Sequence, residues 1–85
     1  MFHNVRIFFE ASMATIRIKS DMSGMVSKIV VQVGSQVTED DTLILLESMK
    51  MEIPVTAPRA GRVVEISAIE GEIVNEGDLL VVLEG

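Results

Sequence analysis

The 85-residue chain is predicted to be an all-β domain built from two quasi-twofold, four-stranded halves that close on each other. The first observation behind this prediction is an internal repeat. Shifted by 37, the chain lies over itself without a gap: Gly24 falls on Gly61, Val26 on Val63, Ile29 on Ile66, Gly34 on Gly71, Val37 on Val74, Glu39 on Glu76, Asp41 on Asp78, Leu43 on Leu80, Leu46 on Leu83 and Glu47 on Glu84. Ten identities between Gly24 and Glu47 exceed chance for two short segments. Two copies are too few for an open solenoid, whose ends would need caps, so each half must cover the other's apolar face. The second observation is a set of short β-branched and leucine-rich runs, and the third is the way Gly24, Gly34, Gly61, Gly71, Gly77, Pro54 and Pro58 punctuate them.

The elements follow in order. Residues 1–12 share neither the residue usage nor the pattern of the rest, and Met13 reads as a second beginning. They are expected to be an N-terminal extension that is disordered, or else an over-called start or a cloning remnant; a further alternative is one more strand through Val5, Ile7 and Phe9. From 13 to 85 a single small domain is expected, with strands near 15–19, 25–32, 36–37 and 43–47, then 52–55, 62–69, 73–74 and 79–83. One stretch is ambiguous. Thr38-Glu39-Asp40-Asp41 before Leu43-Ile44-Leu45-Leu46 imitates a helix cap ahead of an apolar run. Its copy, Asn75-Glu76-Gly77-Asp78 before Leu79-Leu80-Val81-Val82-Leu83, puts glycine in the first turn and adjacent valines after it. Asp40 and Gly77 both tolerate a left-handed backbone, so a turn and a strand explain both copies.

Composition narrows the function. Cysteine is absent, which removes disulfides and thiolate metal sites and fits a reducing compartment, with the cytoplasm as the expected location. The net charge is −6, with seven scattered basic residues, which argues against a nucleic-acid backbone or an anionic membrane as partner. No apolar run approaches a membrane span or a secretory signal. Phe2, Phe8, Phe9 and His3 all fall in the extension, leaving the rest without aromatic or imidazole side chains. His3 reads as an exposed terminal residue. Acid–base chemistry would therefore rest on carboxylates such as Asp40-Asp41 or Glu70 and Glu72, which read more simply as solvated turns. This is a domain that is acted upon.

The stretch Glu47-Ser48-Met49-Lys50-Met51-Glu52 is different. It lies between apolar runs of β type, so Lys50 falls at or near a hairpin tip, yet it holds none of the Gly or Asn that tight hairpins favour. Two large apolar side chains occupy a place that should face water. A local rule broken in a regular chain points to function. By contrast, Lys19 and Lys28 read as ordinary solvated charges.

This stretch, continued by Ile53-Pro54-Val55-Thr56-Ala57-Pro58, resembles the attachment signature of biotinyl domains, the biotin carboxyl carrier modules of biotin-dependent carboxylases. The resemblance runs from about Ala14 to Glu84. It implies the flattened β-barrel, or barrel-sandwich hybrid, shared by biotinyl and lipoyl domains. It also implies biotin in amide linkage to Lys50, added by a biotin protein ligase. Met49 and Met51, with Glu47 and Glu52, would be recognised by the ligase and the partners. The implied role is non-catalytic: a carboxyl group carried from a biotin carboxylase to a carboxyltransferase, with an acyl-CoA such as acetyl-CoA as acceptor, as in fatty acid biosynthesis. Ser20-Asp21-Met22-Ser23-Gly24 departs from the family's Ala-Pro-Met-Pro-Gly, and Asp40 stands where the family has glycine. There is no room for the protruding loop of some bacterial acetyl-CoA carboxylase carriers, so the chain resembles the compact, free-standing type. A lipoyl-type carrier and a non-carrier structural module of the same fold are the alternatives. The repeat places Met13 and a position 87 as equivalents of Lys50, which puts both chain ends at the pole opposite the lysine.

Overall fold

In the computed structural model, residues 14–85 are described; the predicted extension over residues 1–12 and its alternative strand lie outside them. Eight strands follow: β1 (Thr15–Lys19), β2 (Gly24–Ile29), β3 (Gln36–Val37), β4 (Thr42–Ser48), β5 (Met51–Thr56), β6 (Gly61–Ile66), β7 (Ile73–Val74) and β8 (Leu79–Glu84). They form two four-stranded antiparallel sheets, ordered β1-β8-β6-β3 and β5-β4-β2-β7. The 37-residue shift converts one order into the other, β1 becoming β5, β2 becoming β6, β3 becoming β7 and β4 becoming β8. Each sheet therefore takes two strands from each half of the chain. The halves exchange strands instead of stacking as separate sheets.

The exchange follows from where the apolar residues fall. The central strands carry the largest fully buried side chains: Val26 on β2, Leu43, Ile44 and Leu46 on β4, Val63 on β6, and Leu80, Val81 and Leu83 on β8. Bulges let β4 and β8 bury neighbouring residues. Pairing of β4 with β5 skips between Thr42 and Ile44, and pairing of β1 with β8 shifts at Lys19. Leu43 and Leu80 thereby turn inward beside Ile44 and Val81. The core among the described residues is aliphatic, with Met22 packed against it as a gap-filler.

The turns repeat as the strands do. Asp40 and Gly77 adopt φ of 73° and 92°, as their equivalence predicts, so the chain cannot continue as a helix there. Asp41 Oδ2 accepts the Thr38 N–H at 2.8 Å, and Asp78 Oδ2 accepts the Asn75 N–H at 2.8 Å. The cap-like sequence thus holds a tight turn. Glu70 Oε2 accepts the Ile29 N–H at 2.9 Å, so acidic loop residues also have structural work in this domain. Ser20, replacing the family's alanine, is buried, but its Oγ donates to the Met22 carbonyl at 2.6 Å. The hydroxyl is satisfied, so the departure is tolerated.

Two strand boundaries differ from expectation by more than one residue. The strand predicted over 25–32 ends at Ile29, and that over 62–69 ends at Ile66. Alternating valines after Ile29 imitate a continuing strand, but the chain there crosses to the other sheet to reach β3. Val30 N–H bonds to the Leu43 carbonyl and Gly34 N–H to the Val63 carbonyl. In the second copy Ser67 and Ala68 donate to the Leu80 carbonyl and Gly71 to the Val26 carbonyl. The crossing leaves Val30, Val33 and Ile69 exposed.

The poles are defined by close backbone approaches. A Cβ on Gly24 would stand 2.9 Å from the Glu47 carbonyl oxygen, at the β4–β5 end. The corresponding distance from Gly61 to the Glu84 carbonyl oxygen is 3.1 Å, at the other end. There Gly85 N–H donates to the Ala14 carbonyl at 3.1 Å, so the two ends of the described chain meet. Gly24→Ala should force β2 away from β4 beneath the hairpin and cost about 1–3 kcal/mol. Thermal denaturation should show a fall in Tm of about 4–8 °C per kcal/mol lost.

Candidate functional site

The site is built on β4 and β5. Their ladder pairs Leu46 with Ile53, Glu47 with Glu52 and Ser48 with Met51, which leaves Met49 and Lys50 as a two-residue loop. Both have positive φ, 54° and 65°, the backbone of a type I′ hairpin turn. This geometry suits the right-handed twist of the flanking strands, and it explains why the stretch looks wrong as sequence. Asn-Gly would fit without strain, whereas L-residues with long side chains cost about 1–2 kcal/mol each in that region. Besides Asp40, Met49 and Lys50 are the only non-glycine residues with positive φ among those described.

The tip is open to solvent. Met49 is 92% exposed, Met51 is 60% exposed, and Lys50 is exposed between them. Among the described residues the sole ion pair joins Arg62 to Glu84, 3.6 Å apart at the far pole, so no carboxylate holds the Lys50 ammonium down. A flexible four-carbon stem carrying an unencumbered primary amine stands on a rigid two-stranded base. That donor fits an acyl group brought from outside, since nothing around it would clash with an amide or its arm.

Glu47 and Glu52 face each other directly across the strands on the outer face of the sheet. Like charges so placed are unfavourable on their own, and one neighbour moderates them: Ser27 Oγ donates to Glu52 Oε2 at 3.1 Å. Ser27 is the extra residue of a bulge where β2 meets β4, between Val26 and Lys28. Sequence reasoning passed over Ser27. The repeat held the signal, because Ser27 stands on Val64 and Glu52 on Thr15, so this bond belongs to the lysine pole alone. The structure therefore brings Glu47, Met49, Lys50, Met51 and Glu52 together on one hairpin.

The rest of the surface offers less. A shallow groove between edge strands β1 and β5 is lined by Ile18, Met22, Ile53, Pro54 and Val55 and excludes the tip. Among the described residues no group of three or more acidic or imidazole side chains is placed to hold a metal ion. No helix among them is long and apolar enough to cross a membrane.

A β-scaffold that presents an exposed lysine on a left-handed hairpin turn has the form of a domain on which a group could be carried. Comparison with known proteins agrees. The family described as "Biotin-requiring enzyme" matches residues 16–83, and the chain belongs to this biotin and lipoyl attachment family. It is 47% identical over 62 residues to the biotin/lipoyl attachment protein of Bacillus subtilis, covering 73% of this chain and 85% of that one. It is 42% identical over 62 residues to the biotin carboxyl carrier protein of Streptococcus mutans, covering 73% of this chain and 48% of the other. Among solved structures, the urea carboxylase of Kluyveromyces lactis superposes with a TM-score of 0.78 at 34% identity, over 82% of this chain and 6% of that enzyme.

The strained turn makes a direct prediction. Replacing Met49 by Asn and Lys50 by Gly together should raise stability by about 1–3 kcal/mol, the left-handed strain relieved at two positions less the entropy cost of a glycine. Thermal denaturation should show the rise in the variant that has lost its amine.

Proposed function

We propose that Lys50 is the covalent attachment point for biotin and that the domain serves as the carboxyl carrier of a biotin-dependent carboxylase. The observation that carries the reading is the Met49-Lys50 turn: a left-handed backbone kept at two positions where Asn-Gly would be easier, with the amine at its apex. Strain kept in that way at a solvent-facing tip is a mark of function. The carrier and attachment proteins to which the chain is similar support the same role.

When bound, biotin supplies a ureido nitrogen that accepts and releases a carboxyl group. The chain's own residues supply the mooring. The β4–β5 hairpin holds the Lys50 Nζ outward, and the side chain adds reach and free rotation. Placement of Ala14 and Gly85, the ends of the described chain, at the far pole lets the domain be tethered there without blocking the tip. Tethering turns each encounter with a partner's active site into an intramolecular event, limited by the span of arm and linker. A biotin protein ligase would load the lysine. A biotin carboxylase and a carboxyltransferase would use it, with an acyl-CoA such as acetyl-CoA as the acceptor we favour. Glu47, Met49, Met51 and Glu52 would meet these partners, the thioethers adapting to more than one surface. The cysteine-free chain suits the reducing cytoplasm.

Incubation with a biotin ligase, ATP and biotin should add a single biotinyl mass, mapped by peptide analysis to Lys50 and not to Lys19 or Lys28. Lys50→Ala should remove that increment while changing stability by no more than about 0.5 kcal/mol, because an exposed tip contributes little packing. A lipoyl increment with a lipoyl ligase in place of the biotinyl one would instead make this an oxo-acid dehydrogenase carrier.

A further inference from the structure

The quasi-twofold axis supplies an internal control for the surface around the lysine. Beside the hairpin one transverse row crosses the outer face of its sheet: Ile73 on β7, Met25 on β2, Glu47 on β4 and Glu52 on β5, each directly opposite the next. With strands about 4.8 Å apart, the row is about 14 Å long. The same row at the far pole is Gln36 on β3, Arg62 on β6, Glu84 on β8 and Thr15 on β1. Only the glutamate is kept. At the far pole Arg62 holds Glu84 at 3.6 Å and the row is polar throughout. At the lysine pole a methionine stands where that arginine would be, a second carboxylate replaces Thr15, and Ile73 is 69% exposed.

Neither departure helps the isolated domain. Two carboxylates directly opposite each other disfavour a sheet; Ser27 bonds one of them, and among the described residues no cation lies within 4 Å of either. An exposed isoleucine beside a half-buried methionine leaves apolar surface in water. The far pole shows that this fold accepts a polar, ion-paired row at the same positions. Such a row suits a partner that brings a cationic side chain to the carboxylates and an apolar contact to Met25 and Ile73.

We infer that the Ile73–Met25–Glu47–Glu52 row is the docking strip for the enzyme that acylates Lys50, with Met25 and Ile73 as its apolar anchors on strands remote in sequence from the hairpin. This rests on the reading of Lys50 given above. The acylating enzyme is the occupant because it must bring its reacting centre to Nζ itself, within one lysine side chain of the hairpin. Later partners meet the end of a long arm and can stand further off. Glu47 is three residues from Lys50, inside the zone that only the first enzyme must touch. The strip also separates Lys50 from Lys28, which lies on the same sheet opposite Leu45.

The test exchanges rows between poles in the full chain and reads kcat/KM for ligase-catalysed biotin transfer. Met25→Arg imports the far pole's arginine next to Glu47, and Ile73→Gln imports its glutamine; Arg62→Met and Gln36→Ile are the mirror variants. Met25→Arg should lower kcat/KM about tenfold, mostly through KM, the change expected for loss of one interface anchor. Ile73→Gln should lower it several-fold, and the mirror variants should stay within about twofold of the parent. Thermal melts confirm that each variant is folded, and Ile73→Gln decides the matter if Met25→Arg is not. Transfer at the parental rate in both lysine-pole variants overturns the strip while leaving the Lys50 reading intact. Equal losses in the mirror variants overturn it too, since the poles would then not be told apart. Normal acylation with slowed carboxyl loading by a biotin carboxylase would move the strip to that partner and overturn the assignment made here. A parent chain that takes no biotin on Lys50 overturns the attachment reading and the strip with it.

Discussion

Everything in this domain depends on the mutual burial of two aliphatic strands, β4 and β8, each central in its own sheet. Leu43, Ile44 and Leu46 from one half and Leu80, Val81 and Leu83 from the other are all fully buried. A chain this short is close to the lower limit for a self-sufficient core. It reaches that core by exchanging strands, so that every sheet is completed by the other half of the sequence. Neither half could bury its apolar face alone. The rigidity that follows makes a two-residue tip into a defined platform.

On that platform the residues of the candidate site run against local preference. Met49 and Lys50 hold a left-handed backbone, and Glu47 and Glu52 oppose each other across the strands. Met49 and Met51 stand in water. Each feature is unfavourable in isolation and affordable only because the sheet beneath is over-determined. The far pole, with its Arg62–Glu84 pair, shows that the same scaffold accepts an ion-paired row at the equivalent positions. The difference between the two ends is therefore a physical measure of what the site adds to the fold.

Much of this was legible as sequence. The gapless shift of 37 gave eight strands and the left-handed turn at Asp40 and Gly77, because residues that recur in a repeat must satisfy the same backbone twice. The Met-Lys-Met hairpin was legible because it breaks turn chemistry where the flanking strands obey their own. The ends of β2 and β6 were not. Apolar residues such as Val31, Val33 and Ile69 look the same whether a strand continues or the chain crosses to the opposite sheet. Only long-range bonds such as Gly34 to Val63 and Gly71 to Val26 separate the two. Ser27 was missed for a related reason, since its role needs a bulge that the pattern of one strand cannot reveal.

The sequence by itself determined the all-β class, the quasi-twofold repeat and the exposed lysine between two methionines, because these rest on local preference and on identities along one chain. The tertiary structure decided which strands share a sheet. It also decided that both tip residues are left-handed and that Met25 and Ile73 line up with Glu47 and Glu52. Those outcomes depend on register between segments as far apart as β2 and β7, and register is set by how side chains from distant parts of the chain pack together.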